Sequence, residues 1–155
     1  MTFIGKIIKK PIDLNSTTKE LSISATKKGG GALVLFMGFV KGVVNNAEVT
    51  NLVYEAYEPY ASKKLNEIAK DYSKMEGVLD VIILHRIGNL KPGEPTIYIF
   101  VTAVNRKLAF KVASEALERV KHEVPIFKLE KRSNGEYWVM GDGKRVKREK
   151  STSSK

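Results

Sequence analysis

Two apolar stretches of similar length, 78–86 and 96–104, flank a short polar turn, Lys91-Pro92-Gly93-Glu94. Both stretches are nearly continuous, so neither shows the alternation expected of a strand with one face in water. Strands with this pattern are covered on both faces. The sequence therefore predicts two central strands of a sheet, which the rest of the chain has to cover.

Two segments have the periodicity of amphipathic helices. Glu58-Pro59 opens the first, with proline at the tolerated first position. Asn105 is a good N-cap for the second, which is predicted to run to about Glu123 because Pro125 forces it to end. The apolar faces are Ala61, Leu65, Ile68, Ala69, Tyr72 and Met75 in the first helix, and Ala109, Val112, Ala113, Ala116 and Val120 in the second.

The remaining elements are shorter. A helix is predicted from the capping-box spacing at Thr17–Glu20 to about Lys28. Further strands are predicted at 3–10 (an edge strand), 32–41 (a buried strand) and 49–57, and 126–131 with 136–139 form a hairpin around Ser133-Asn134-Gly135. The fold class is α+β, with about three helices on a mostly antiparallel or mixed sheet, and residues 1–140 form one domain.

Composition excludes several classes of site. The 155 residues include no cysteine and only two histidines, His85 and His122. Thiolate nucleophiles, persulfide carriers, iron–sulfur clusters and cysteine-type zinc sites are therefore excluded. We expect neither a metal nor a cofactor. The longest nearly continuous apolar run has nine residues, too short for a membrane span, and no signal peptide is evident. We expect a cytoplasmic domain.

The formal net charge is +10, which indicates an anionic partner. Residues 141–155 contain six basic and two acidic side chains but one apolar one, so a flexible tail is predicted there. Such a surface is compatible with a basic nucleic-acid-binding module, although no recognised motif of that class is present. P-loop, dinucleotide-binding and zinc-protease motifs are absent as well.

The segment 119–130 carries the most suggestive chemistry. Lys121 falls in the last turn of the helix that Pro125 ends, and Lys128 falls at the start of the next strand. A rigid turn between them could direct both amines into one pocket, where each lowers the pKa of the other and both attract anions. The alternative is that Lys121 only complements the helix dipole and that Lys128 is an exposed strand residue.

Several short motifs occur along the chain in a specific order and spacing. They are Gly31-Ala32-Leu33-Val34, Gly38-Phe39-Val40-Lys41, Leu52–Tyr57, His85-Arg86-Ile87-Gly88, Pro92-Gly93-Glu94, Asn105-Arg106, Ala109-Phe110, Lys121 through Pro125 to Lys128, and Trp138. In these motifs the chain resembles the large-subunit family of molybdopterin synthase.

The resemblance implies an α/β-hammerhead fold and a sulfurtransferase. It implies a homodimer within a heterotetramer, with a small ubiquitin-like sulfur-carrier subunit at each end. The carrier's C-terminal Gly-Gly thiocarboxylate would enter a pocket, and its sulfur would pass to cyclic pyranopterin monophosphate (precursor Z) to make molybdopterin. The lack of cysteine agrees with a sulfur that arrives on a partner.

By position, the resemblance implies that Lys121 and Lys128 are catalytic. The implied substrate-binding residues are Phe39, Val40, Lys41, Asn105, Arg106, Lys121, Lys128, Leu129 and Glu130. Two positions depart from the family: Lys41 replaces the usual arginine and Asn105 the usual histidine. Lys41 loses bidentate phosphate geometry. Asn105 loses a titratable group and is either a helix cap or a ligand contact, so a weakly active family member is a further alternative.

Helix geometry adds an argument that is independent of the family. Arg106 and Lys121 are fifteen residues apart on one predicted helix, so they lie roughly 22 Å apart along its axis. One small substrate cannot be held by both from the same chain. If both serve one site, Arg106 comes from a second subunit. His85 is interpreted as a structural residue at a strand end, with a catalytic histidine as the alternative. Tyr54 is interpreted as a packing residue, with stacking on a pterin as the alternative.

Overall fold

The computed structural model describes residues 2–141 and 143–149. Its helices are α1 (Leu14–Thr26), α2 (Tyr60–Ser73) and α3 (Arg106–Glu123). Its strands are β1 (Thr2–Ile8), β2 (Ala32–Phe39), β3 (Val43–Val44), β4 (Ala47–Ala56), β5 (Val78–Arg86), β6 (Gly88–Leu90), β7 (Pro95–Ala103), β8 (Ile126–Arg132), β9 (Gly135–Val139) and β10 (Arg145–Lys147). The predicted α+β class, with three helices and mixed sheets, is confirmed.

The first sheet has the strand order β1-β5-β7-β2, so β5 and β7 are central as predicted. Alternate residues of these strands enter different cores. Val81, Ile83 and Ile99 pack under α2 and α3, whereas Ile82 and Phe100 pack on the opposite face with Leu21 of α1. Both faces are covered, which explains why the two stretches are continuously apolar.

The predicted apolar faces of α2 and α3 lie in the larger of these cores, with Tyr72 and Met75 partly buried at its edge. α2 packs closely on β1. A Cβ at Gly5 would lie 2.2 Å from the backbone of Leu65, so only glycine allows this approach. β1 is an edge strand, as predicted, and runs parallel to β5.

The second sheet has the order β10-β9-β8-β4-β3, with β6 also paired to β4. It contains the predicted 49–57 strand and the predicted hairpin of β8 and β9. A small cluster that includes Val40, Val49, Leu52, Tyr54 and Leu90 fills its inner side. The two sheets adjoin where β5 leads through Ile87 into β6.

Three local predictions were wrong. α1 begins at Leu14, because Asp13 rather than Thr17 accepts the capping hydrogen bond, from the Ser16 amide at 3.2 Å. β2 is a half-buried edge strand rather than a buried one. The short strands β3 and β6 lie in segments without a predicted strand.

The sheet also continues past residue 140, into the stretch for which a flexible tail was predicted. β10 pairs with β9 through Arg145–Val139, Val146–Trp138 and Lys147–Tyr137. The rest of that predicted tail, 150–155, lies outside the described residues. Within 2–141 and 143–149, no helix is long and apolar enough to cross a membrane.

Candidate active site

A small pocket lies between the C-terminal end of α3, the first residues of β7 and the inner side of β4, β8 and β9. Its volume is about 60 Å³, which is room for a few water molecules. Its walls combine apolar side chains with a few polar groups. The lining residues are Tyr54, His85, Thr96, Ile97, Leu117, Val120, Lys121, Val124, Ile126, Lys128, Val139, Met140 and Gly141.

Lys121 reaches this pocket from the last turn of α3. Val124 caps the helix in an extended conformation, as expected before Pro125, and β8 starts at Ile126, directly after the proline. The chain that leaves β9 then crosses the helix end. A Cβ at Gly141 would lie 2.5 Å from the carbonyl oxygen of Lys121, so glycine is required at this crossing. The rim of the pocket is therefore built from both segments.

Lys128 lies on β8, directly opposite Tyr54 of β4. Its Nζ is 5.5 Å from the centroid of the Tyr54 ring, a distance at which an ammonium is attracted to the ring face. Burial lowers the pKa of Lys128, and the positive charges of Lys121 and Arg145 lower it further. The structure thus brings the two predicted lysines to one pocket, and it makes one of them easier to deprotonate.

This arrangement suits an anionic guest. Two amines in a confined space attract a carboxylate-like group more strongly than they would in open water. An amine with a lowered pKa can also give up and recover a proton near neutral pH more easily than an ordinary lysine. Among the described residues no group of three potential metal-ligating side chains occurs.

Tyr54 and His85 form the inner end of the pocket. Their rings meet edge to face with centroids 5.1 Å apart. Burial raises the pKa of Tyr54 to about 12, against a hydrogen bond with Thr96 that lowers it. Burial also lowers the pKa of His85 to about 4; its hydrogen bond with the Arg86 carbonyl opposes this, while the charge of Lys128 adds to it. Both side chains are uncharged at neutral pH.

Sequence reasoning did not assign His85 or Tyr54 to the site, although both lie in motifs that carry the family resemblance. The neighbouring Arg86 is structural. It donates to the carbonyls of Lys9 and Pro95 and pairs with Glu94. The motif that contains His85 therefore combines one pocket residue with one that holds loops together.

Two residues after Lys128 on β8, the buried carboxylate of Glu130 forms ion pairs with two arginines. Glu130 is 3% exposed and accepts from Nε of Arg132 at 2.8 Å and from Nε of Arg145 at 2.9 Å. Both of these partners belong to the same chain, and the predicted contact of Glu130 with substrate stays a prediction. Leu129 is buried on the opposite face of β8, since successive strand residues alternate. Arg145 was missed because it was assigned to the tail.

The segment 39–41 lies at the same end of the first sheet as the pocket. Gly38 pairs with Ile97, which lines the pocket. Val40 is 2% exposed, and its backbone is bonded to Gly93 and Glu94, so only packing is available to it. Phe39 and Lys41 are exposed and accessible to a ligand.

Asn105 and Arg106 lie at the other end of α3. The Asn105 side chain accepts a hydrogen bond from the Leu108 amide at 2.9 Å, so it is the predicted N-cap. Arg106 is exposed one residue further on. α3 is one uninterrupted helix from Arg106 to Glu123, so Arg106 and Lys121 are roughly 22 Å apart along its axis. The structure does not bring these two residues together within one chain.

Comparison with known proteins gives a consistent result. A family profile described as "MoaE protein" matches residues 7–123. The molybdopterin synthase catalytic subunit of Pyrococcus abyssi is 35% identical over 136 residues, covering 88% of this chain and 90% of that protein. The corresponding subunit of Bacillus subtilis is 37% identical over 135 residues, covering 86% and 83%. The crystal structure of molybdopterin synthase from Staphylococcus aureus superimposes with a TM-score of 0.76 at 34% identity, covering 86% and 95%.

Proposed function

The chain belongs to the MoaE protein family, and from that premise we propose that it is the catalytic subunit of a molybdopterin synthase. It transfers sulfur from the thiocarboxylated C-terminus of a small carrier protein to cyclic pyranopterin monophosphate, in the cytoplasm. The observation that carries this proposal is the narrow cationic pocket shared by Lys121 and Lys128.

The size of the pocket supports a thin guest. A Gly-Gly terminus has no side chains, so it needs little more width than an extended backbone. A volume of about 60 Å³ fits the tip of such a chain and is too small for the fused rings of a pyranopterin. The pterin therefore lies at the mouth of the pocket, next to the sulfur that the chain end presents.

The two lysines have complementary roles. Lys121, at the rim, pairs with the incoming thiocarboxylate and holds the sulfur in position. Lys128, deeper and with a lowered pKa, stabilises the negative charge that develops at the carrier's terminal carbonyl and exchanges a proton with it. These are electrostatic and acid–base roles, and they need no covalent bond to either amine.

The substrate phosphate requires cations outside the pocket. Lys41 is exposed at the pocket's end of the first sheet, where Phe39 adds an apolar surface. Arg106 serves the site only from a second copy of the chain, because it lies at the far end of α3. We therefore propose a homodimer, with one carrier subunit bound at each of two such pockets in a heterotetramer. Asn105, Val40 and Leu129 contribute through capping and packing.

The test is reconstitution with purified thiocarboxylated carrier and cyclic pyranopterin monophosphate. The wild-type chain should produce molybdopterin, and Lys121→Ala should reduce the rate by at least about a hundredfold, because a charged contact in the transition state is lost. Lys111→Ala is the matched control. Lys111 lies on the same helix but is exposed and paired with Glu115, so the rate should be unchanged.

Full turnover by Lys121→Ala would remove that amine from the mechanism. A wild-type chain that neither binds the carrier nor forms product would contradict the proposed function itself.

A nucleic-acid-binding role has less support from the geometry. A wide, open hollow near the β8–β9 turn is lined by Lys131, Arg132, Lys147 and Arg148. However, Arg132 is held by Glu130 and Arg148 by Glu136, so half of these cations are already neutralised within the chain. Weak, salt-sensitive oligonucleotide binding is the expectation for this surface.

A further inference from the structure

We propose that His85 is a positioning residue of this pocket: when the carrier's C-terminus is bound, Nε2 of His85 accepts a hydrogen bond from the Lys128 ammonium and so directs that group toward the carrier's terminal carbonyl. The inference rests on the proposed function and deepens it, because it assigns a role to a side chain that lines the pocket and that the mechanism above leaves unused.

The tautomer of His85 follows from its backbone contact. Nδ1 lies 2.7 Å from the carbonyl oxygen of Arg86. A carbonyl only accepts, so the hydrogen is on Nδ1. Because the ring is neutral at ordinary pH, Nε2 carries a lone pair and no hydrogen. The nitrogen that remains for the pocket is therefore an acceptor, and the bond to Arg86 fixes the ring's orientation.

Lys128 and His85 share one platform. The ammonium lies over the face of Tyr54 at 5.5 Å from its centroid, and the His85 ring meets the same ring edge-on at 5.1 Å. Tyr54 is 5% exposed and His85 4% exposed, so neither ring has room to turn away. The positive charge of Lys128 also lowers the pKa of His85.

The other charges around Lys128 make an acceptor necessary. Lys121 from α3 and Arg145 from β10 are both positive and both disfavour its charged form. The buried Glu130 on the same strand is occupied by Arg132 and Arg145, and Tyr54 from β4 is uncharged. His85 from β5 adds a neutral nitrogen with a free lone pair to the same pocket. A hydrogen bond to it stabilises the ammonium and fixes its direction.

The wild-type protein alone allows the first test. It has two histidines, so long-range 1H–15N spectra of the imidazoles contain two sets of signals, which His122→Asn assigns. His122 is exposed and lies 3.5 Å from Glu118, away from the pocket. At pH 7, His85 should show a protonated Nδ1 and an unprotonated Nε2. An Nε2–H tautomer or an imidazolium would overturn the proposal without any assay of activity.

The second test uses substitutions in the reconstituted reaction. His85→Phe keeps a flat ring but removes the acceptor, so kcat should fall roughly tenfold or more while KM for the carrier stays within about twofold. His85→Gln places an amide oxygen near the position of Nε2 and should recover much of that loss. A structural role would instead lower both variants alike, together with their stability.

The pH dependence gives a third readout. Without the acceptor the charged form of Lys128 is less stable, so its pKa falls further. Because the ammonium is the working form, the alkaline limb of the kcat profile in His85→Phe should move to lower pH. An unchanged profile and rate in His85→Phe, with an active wild-type enzyme, would disprove the role of His85 and leave the proposed function intact. An inactive wild-type enzyme would count against the function instead.

Discussion

The two ends of α3 differ in almost every physical respect, although each carries a cation predicted to bind substrate. At the C-terminal end, Lys121 lines a pocket with Lys128, and the surroundings are partly desolvated. At the N-terminal end, Arg106 is exposed and lies beside a satisfied cap at Asn105. The first end forms a pocket within one chain, whereas in our proposal the second contributes to a site only across a dimer.

The helix dipole adds a further difference between the two ends of α3. A cation in the last turn is favoured by the helix dipole, and one in the first turn is disfavoured. The helix dipole therefore stabilises the charge of Lys121 within one chain. The charge of Arg106 lacks such stabilisation, because no ion pair joins it to a carboxylate in residues 2–141 and 143–149. A charge placed against the dipole and left without an internal partner is free to bind a ligand held by another copy.

A mixture of two variants tests whether the two ends of α3 serve one site from different chains. Lys121→Ala and Arg106→Ala should each be nearly inactive. When the two variants are unfolded together and refolded as a mixture, half of the dimers combine one chain of each type. One of their two sites then has both native residues, so about a quarter of the wild-type rate should return. The measurement is molybdopterin formation against the mixing ratio.

If Arg106 and Lys121 served a site within the same chain, mixing would restore nothing. Mixing Lys121→Ala with Lys128→Ala provides the control, because both lysines line the pocket of one chain. That mixture should stay inactive whatever the ratio.

The second effect concerns the stability of the network behind the pocket. Glu130→Gln replaces a buried carboxylate that holds two arginines, and it should lower the free energy of unfolding by about 3 kcal/mol or more, since it leaves guanidinium charges without their counterion. Glu136→Gln is the control on the adjacent strand. That carboxylate pairs with Arg148 at the surface, so its loss should cost less than about 1 kcal/mol.

Urea unfolding followed by circular dichroism measures both values. Equal losses in the two variants would mean that the buried network is no stronger than a surface pair, and the ordered position of Arg145 near Lys128 would then need another cause.

The features that sequence predicted well are those with a local origin. The cap at Asn105, the end of α3 before Pro125 and the apolar faces of α2 and α3 follow from rules that act over a few residues, and the structure has all of them. The central strands β5 and β7 were also predictable, because coverage on both faces leaves a continuous apolar pattern. Lys121 and Lys128 were found because a short rigid turn connects them.

The features that were missed depend on partners distant in the chain. β2 looks buried in sequence, but its place at the sheet edge is decided by β7, more than fifty residues later. Arg145 lies in a stretch that reads as a tail, and its order comes from Glu130 and from pairing with β9. His85 became a pocket residue because β4 and β8 bring Tyr54 and Lys128 against it. None of these contacts leaves a local pattern.

A smaller effect concerns the pKa of Lys128 at the C-terminal end of α3. The pKa of Lys128 is lowered by burial first and by Lys121 second, so Lys121→Ala should raise it without returning it to the value of an exposed lysine. Carbon-13 spectra of labelled lysine Cε, titrated between pH 7 and 12, measure this, and Lys128→Arg assigns the signal. A titration of Lys128 that Lys121→Ala leaves unchanged would show that the two amines do not interact.

The smallest effect tests whether the N-terminal end of α3 has any role besides capping. Asn105→Asp keeps a good cap, and Asn105→Ala should cost about 1 kcal/mol of stability because the Leu108 amide loses its acceptor. If Asn105 is only a cap, both variants should turn over at the wild-type rate well below their unfolding temperatures.

Asn105→His restores the residue usual in the family but caps poorly. A faster rate in that variant, despite the lost stability, would mean that this position contacts substrate across the dimer and that asparagine limits the enzyme. An unchanged rate would leave Arg106 as the functional group at that end of the helix.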